Sequence, residues 1–275
     1  MSKLLSVFLA LSCLAYANTT QDKIADTKAQ IQKLQDDLKH LEAMEGNRPE
    51  NIAARREEAN TLKTHAEFGF VSTSGNTDTT AYSLDLDMKK QWDKHVFTFM
   101  FDGQYADDKN IETINKFLTE LSYDYEFTDR FAFTYLLGYK DDKFSGYNYQ
   151  AYTGPGARYK LIKEESHRLS IEGSLLYAQD ELENTSSAIE YASLRTKAIY
   201  EWQILENLKF TQDLSYRTEL DDSKNYFVYS KSAFISKISD IFSFGINYKL
   251  DYVNTPPLGT QNSDKTLTAN LIIDY

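Results

Sequence analysis

The stretch Phe97-Thr98-Phe99-Met100-Phe101-Asp102-Gly103-Gln104-Tyr105 decides the fold. Its odd positions are Phe, Phe, Phe, Gly and Tyr, and its even positions are Thr, Met, Asp and Gln. A period of two puts these sets on opposite faces of a β-strand, one apolar and one largely polar. The same alternation returns in Phe131-Phe133-Tyr135-Leu137-Tyr139, Leu169-Ile171-Gly173-Leu175-Tyr177, Leu208-Phe210-Gln212-Leu214-Tyr216 and Phe242-Phe244-Ile246-Tyr248-Leu250-Tyr252. The closing tyrosines, at 105, 139, 177, 216 and 252, are 34, 38, 39 and 36 residues apart. Each repeat is therefore one long hairpin.

Between these strands lie partners in Tyr82–Met88, Phe117–Phe127, Tyr149–Leu161, Ala192–Trp202 and Tyr226–Phe234. An opening strand near His65–Ser74 and a closing one at Leu267–Tyr275 bring the expected count to twelve. An even number suits a closed antiparallel barrel with both ends on one side. The connections alternate too. Short turns are expected around Asp93-Lys94, Thr128-Asp129, Glu164-Glu165, Glu206-Asn207 and Ser239-Asp240. Longer polar loops are expected around Gly75-Asn76, Asp107–Glu112, Asp141–Asn148, Asp180–Ser187, Asp221–Asn225 and Thr255–Asp264.

Size and charge separate a membrane barrel from a soluble sandwich. Phe97 to Tyr105 spans ~26 Å at ~3.3 Å per residue, which at a tilt of ~40° gives ~20 Å, close to the apolar band of an outer-membrane barrel. Aromatics mark the strand ends as a girdle of Trp92, Tyr105, Phe131, Tyr139, Tyr177, Trp202, Tyr216 and Tyr252. Amphipathic rings at the headgroup level account for its Tyr and Trp members. The alternate face carries too many charges for a sandwich core, where each ion would cost several kcal/mol. Its acids gather as one wall, Asp85, Asp87, Asp102, Glu120 and Asp124, and its bases as another, Arg195, Lys197, Lys209, Arg217, Lys231 and Lys249. Closure of the barrel sets the walls face to face across a lumen. Two outcomes stay open: a transverse field across a narrow aqueous pore, or pairing that fills the barrel.

Composition agrees with this reading. The 275 residues hold 30 Lys plus Arg against 41 Asp plus Glu, a formal net charge of −11, with a mean hydropathy of −0.53. Beyond the leader no stretch approaches the ~18 apolar residues of a spanning helix. The negative charge repels phosphate and argues against nucleic acid as a partner. With 20 Tyr and 16 Phe the chain is not read as disordered.

Residues 1–17 read as a secretory signal: Lys3, an apolar run from Leu4 to Leu14, and Ala15-Tyr16-Ala17 as cleavage site. The single cysteine, Cys13, falls inside it, so no disulfide or thiolate metal site is expected after cleavage. A lipoprotein signal would instead make Cys13 the new terminus, but Ala10 stands where such sites favour Leu. Residues 18–62 are expected to be a periplasmic helical segment. Ile24, Ile31 and Leu38, with Thr27, Leu34 and Leu41 three residues on, form an a/d seam suited to self-association or a periplasmic partner through residues 20–44. A solvated spacer is the alternative. Residues 63–275 form the barrel, and its final strand ends in Leu271, Ile273 and Tyr275, alternate residues closing on an aromatic. That ending is similar to the signal by which the insertion machinery recognises outer-membrane barrels.

The segment Glu67-Phe68-Gly69-Phe70-Val71-Ser72-Thr73-Ser74-Gly75-Asn76-Thr77-Asp78-Thr79 resembles the opening of the YdiY-like salt-induced outer membrane protein family, domain-of-unknown-function family 481. Gly154-Pro155-Gly156-Ala157-Arg158-Tyr159 is similar to a second element of that family. The resemblance covers about residues 64–275. It implies an outer-membrane barrel and brings no settled ligand, cofactor or reaction.

No catalytic set is expected. On this topology His65, His95 and His167 all fall at the periplasmic ends of strands, away from the outer rim, and His40 lies in the helical segment. Acidic pairs just beyond the tyrosines, Asp107-Asp108, Asp141-Asp142, Asp180-Glu181 and Asp221-Asp222, read as a hydrated rim or as a site of cation bridging to lipopolysaccharide. None has the spacing of a calcium loop. The sequence thus leads to a barrel in contact with the bilayer and lipopolysaccharide. Its function is expected to be a narrow diffusion channel, with a non-conducting structural barrel under salt or osmotic stress as the alternative and an outer-membrane hydrolase as a distant third.

Overall fold

The computed structural model describes residues 28, 32–37, 62–73, 79–183, 185 and 187–275. The chain divides into two units, Met1–Glu58 and Ala59–Tyr275. In the first, residues 28 and 32–37 are helical and their side chains exposed, Leu34 among them. The other seam residues and the 1–17 leader lie outside the described residues.

The second unit is a closed barrel of twelve antiparallel strands, each paired with its neighbours in sequence and β1 with β12. The strands are β1 (Leu62–Thr73), β2 (Thr79–Trp92), β3 (His95–Asp108), β4 (Ile111–Glu126), β5 (Phe131–Asp142) and β6 (Tyr147–Lys163). They continue as β7 (His167–Leu182), β8 (Ile189–Leu205), β9 (Leu208–Glu219), β10 (Tyr226–Lys237), β11 (Phe242–Val253) and β12 (Ser263–Asp274). The barrel begins and ends at the end where β2–β3, β4–β5, β6–β7, β8–β9 and β10–β11 are joined, here called the turn end. The opposite end is the loop end.

One expected loop is not a loop. Asp107–Glu112 is strand up to a two-residue turn, Lys109-Asn110, with both residues at positive φ (51° and 63°). A two-residue turn with both centres left-handed matches the strand twist, and Asn tolerates that conformation. A register shift between Ala106 and Asp107 absorbs the odd residue. The charges there read as loop because a charged strand end and a loop look alike in composition.

The barrel is inverted relative to a water-soluble protein. Phe68, Phe70, Leu84, Phe99, Leu137, Leu175, Phe234 and Leu271 point outward and are 37–59% exposed. Buried positions are instead small or polar, and Thr134, Ser193, Asn247 and Lys249 are at most 2% exposed. A contiguous apolar surface of this kind is a membrane-facing one. Closure pairs the backbone groups between strands, which hydrocarbon demands because each unpaired group there costs several kcal/mol. Among the described residues no helix is long and apolar enough to cross a membrane.

The girdle residues lie on this outer surface. Trp92, Tyr105, Phe131, Tyr139, Tyr177, Trp202 and Tyr216 are exposed; Tyr252 is partly covered by Tyr226, centroids 5.9 Å apart. At the turn end two clusters have the same build. The His95 ring lies against Trp92 (5.9 Å) and bonds the Tyr123 hydroxyl (2.8 Å); the His167 ring lies against Trp202 (5.7 Å) and bonds Tyr200 (2.8 Å). Leu271, Ile273 and Tyr275 also face outward.

The closing seam is the shortest pairing, five Cα partners from His65↔Asp274 to Gly69↔Asn270. Backbone bonds between Thr64 and Tyr275 extend it by one step. A buried side chain reinforces it. Glu67, 2% exposed, accepts hydrogen bonds from Asn270 of β12 (2.8 Å), Asn247 of β11 and Lys231 of β10 (2.9 Å).

Candidate functional site

The lumen is built by the inward residues of all twelve strands. The two walls meet across it. Lys249 Nζ lies 2.6 Å from Asp85 and 2.8 Å from Asp102, and Lys231 Nζ lies 2.9 Å from both Asp85 and Glu67. Arg195 reaches Glu120 at 3.0 Å. Tyr229 donates to Asp102 at 3.4 Å, from β10 to β3. At these distances Lys231 and Lys249 share Glu67, Asp85 and Asp102, so here the two walls are joined by ion pairs.

Not every wall residue joins. Asp124 pairs with Arg158, a base outside the expected wall, which also reaches Glu172 at 2.9 Å. Lys197 pairs with Asp213 on the next strand at 2.9 Å. Towards the loop end, Lys116 and Lys140 from β4 and β5 converge on Asp251 of β11 at 3.4 and 3.3 Å. Asp87, Lys209 and Arg217 have no ion-pair partner among the described residues. These pairs cross between strands far apart in sequence, and a buried ion pair is favourable only with further hydrogen bonds to its remaining polar atoms. Several have them: Tyr152 donates to Glu120 at 2.5 Å, and Arg195 donates to Ser215 at 3.0 Å.

Local backbone makes room for these side chains. Tyr152 lies across Gly138 of β5, where an added Cβ would sit 2.2 Å from the ring. Gly154 and Gly156 bring β6 against β7; a Cβ on Gly154 would be 2.1 Å from the Leu175 carbonyl oxygen. The Gly-Pro-Gly segment thus delivers Arg158, two residues on, to Asp124 and Glu172.

What remains is a cavity of about 1060 Å³ within the barrel. Its lining runs from Glu164 and Glu165 at the turn end to Phe227 and Val253 near the loop end. Among the charged strand residues that line it, Lys89, Lys209 and Arg217 are without an ion-pair partner, against Asp87 alone among the acids. Glu164 and Glu165 in the turn-end connection are unpaired as well, so unmatched bases and acids balance over the whole lining while the bases predominate on the strands.

The acidic rim pairs differ from one another. Asp142 and Asp180 are buried, and Asp180 accepts from Gln150 (3.0 Å) and Tyr191 (2.7 Å). For these two the hydrated-rim reading is corrected: those donors replace water at Asp180, and Asp142 accepts from the Phe144 backbone N–H at 3.2 Å. Outside the spanning segments, a hydrogen bond from Lys237 at the turn end holds the Asp240 carboxyl below its ordinary range. His65 sits between Asp274 (2.5 Å) and Glu67 (3.2 Å), a pairing that the sequence reading did not anticipate. Among the described residues no cluster of His, Cys, Asp and Glu could hold a metal ion.

A model of the family described as "Protein of unknown function, DUF481" matches residues 66–275. A comparison with curated proteins returned no match. Among solved structures the chain is similar to the NanC porin, with TM-score 0.47 and 10% identity over 78% of this chain and 99% of that one. It is also similar to the translocator domain of the autotransporter NalP from Neisseria meningitidis, with TM-score 0.44 and 8% identity over 87% and 97% of the two chains. The outer membrane channel DcaP of Acinetobacter baumannii gives 0.36 and 8% over 78% and 96%. Likeness at this level carries no argument about solute or mechanism.

Proposed function

The chain belongs to the DUF481 family, and we propose that its barrel is a narrow outer-membrane diffusion channel for small polar or charged solutes. The turn end faces the periplasm and the loop end faces outward, as short and long connections are arranged in such barrels. The observation that carries the reading is the charged cavity of about 1060 Å³ that extends along the lumen. A barrel filled for stability alone has no need of unmatched bases on such a lining. Planar-bilayer recording on purified, folded barrel tests it. Discrete, small conductance steps support the channel, and silence sinks it.

A second reading rests on a specific observation of its own. The Lys249 and Lys231 pairs cross from β10 and β11 to β1, β2 and β3, the arrangement of a barrel sealed to support the envelope under salt or osmotic stress. Impaired growth of a deletion strain at high salt, rescued by a barrel that does not conduct, would favour it. The hydrolase reading gains nothing from the described histidines, since His65 joins two carboxylates at the turn end and His95 and His167 each bond a tyrosine hydroxyl beside a tryptophan, all away from the loop end.

The outward Leu271, Ile273 and Tyr275 fit recognition by the insertion machinery, and their replacement by Ser should reduce assembled barrel in membranes. The exposed loop-end acids fit divalent bridging to lipopolysaccharide. Residues 18–62 are read as periplasmic. Crosslinking with and without them shows whether the 20–44 helix sets an oligomer or reaches another protein.

A further inference from the structure

We infer that Arg217 forms a binding site for a small monocarboxylate within the lumen; the inference rests on the channel reading and names a solute class for it. Arg217 is 7% exposed, lines the central cavity, and has no carboxylate within ion-pair distance among the described residues. Its Nη1 is shielded from solvent and has no hydrogen-bond acceptor. Most of the other buried strand bases behave differently. Arg195, directly opposite Arg217 in the β8–β9 register, is held by Glu120 and Ser215, and Lys249 is held by Asp85 and Asp102.

Aromatic rings take the place of a carboxylate. The Arg217 guanidinium carbon lies 4.4 Å from the centroid of Phe227 and 4.9 Å from that of Tyr152. Ring faces attract a cation but accept little through its in-plane N–H groups. Those donors are left for a ligand, and their fork matches the two oxygens of a carboxylate. A buried charge with an unmet donor is costly in isolation, and an incoming anion removes that cost.

Charge sets the valence. Glu120 and Glu172 are already matched by Arg195 and Arg158, and Asp180 is satisfied by Gln150 and Tyr191 through one oxygen. No carboxylate pairs with Arg217 itself, and the charges of Glu120, Glu172 and Asp180 nearby disfavour a dianion more than a monoanion. Arg217 lies near the loop-end limit of β9, two residues from Glu219, so a solute entering from outside meets it early.

The test uses the full barrel folded in detergent, with sodium acetate as probe at constant ionic strength against sodium chloride. Saturation-transfer NMR on the acetate methyl signal should show saturable binding to the barrel. Arg217→Gln should abolish that binding, Arg217→Lys should weaken it about tenfold because the fork is lost, and Lys209→Gln should leave it unchanged. Heat-modifiable gel mobility establishes that each variant is folded, and Arg217→Lys keeps the test available if Arg217→Gln does not fold. Absence of saturation in folded wild type overturns the site, whether or not the barrel conducts. Saturation by inorganic phosphate but not acetate overturns the carboxylate assignment. Saturation by acetate in a barrel that proves silent keeps the site and sinks the channel reading.

Discussion

Lys249 and Arg217 stand two strands apart on the same wall, both buried, and they meet opposite company. Lys249 is 2% exposed and touches two carboxylates; Arg217 is 7% exposed and touches two aromatic rings. The first arrangement is closed, since every charge in it has a counter-charge. The second is incomplete and needs something from outside. The lumen therefore joins a load-carrying layer of ion pairs around Glu67, Asp85 and Asp102 to a sector whose bases are left unmatched. Fold and transport occupy different parts of one surface.

The contrast can be broken most severely at the closed side. Lys249→Met strips Asp85 and Asp102 of a shared cation, and removal of one member of a buried pair costs about 3–5 kcal/mol. Urea unfolding of the barrel in lipid vesicles should show that loss. Glu67→Ala belongs to the same class, because it leaves Asn247 and Asn270 without their acceptor and Lys231 with Asp85 alone at the closing seam. A loss under about 1 kcal/mol in both would mean that the pairs do not hold the barrel.

Gly138→Ala attacks the point where the two sectors join. The new methyl would overlap the Tyr152 ring, and overpacking of this kind costs about 1–3 kcal/mol. Since Tyr152 meets both Glu120 and Arg217, acetate affinity should fall with stability. Trp92→Ala removes an outer ring stacked on Phe97 at 5.1 Å, with an expected loss of about 1 kcal/mol by urea unfolding and no change in acetate binding. Arg217→Gln should change stability least, by under about 1 kcal/mol, because no buried acid is left behind. A loss as large as that of Lys249→Met would erase the distinction between the two bases.

The sequence made much of this architecture legible. Alternation is a local property, so the segments built around Phe97–Tyr105 and Phe131–Tyr139 announce both their faces and the strand count. Pairing across the lumen is not local. That Lys249 reaches Asp85, and Arg195 reaches Glu120, depends on barrel closure and stagger, which no single segment encodes. Arg158 escaped notice because Gly154-Pro155-Gly156 interrupts the apolar rhythm, although Tyr152, Gly154, Gly156 and Arg158 do keep the two-residue period on the inner face. Glu67 was present in the motif carrying the family resemblance, yet its place at the seam follows only from β1 meeting β12. Arg217 was expected on the basic wall. What the sequence could not convey is that Arg217, unlike Lys249, finds no acid there.

Single-channel recording in planar bilayers tests the central claim most directly. Wild-type barrel is expected to give small, discrete steps, and Arg217→Gln is expected to move the reversal potential toward cations while steps persist. A folded, inserted barrel that passes no current, or a current whose selectivity is indifferent to Arg217, would contradict the account.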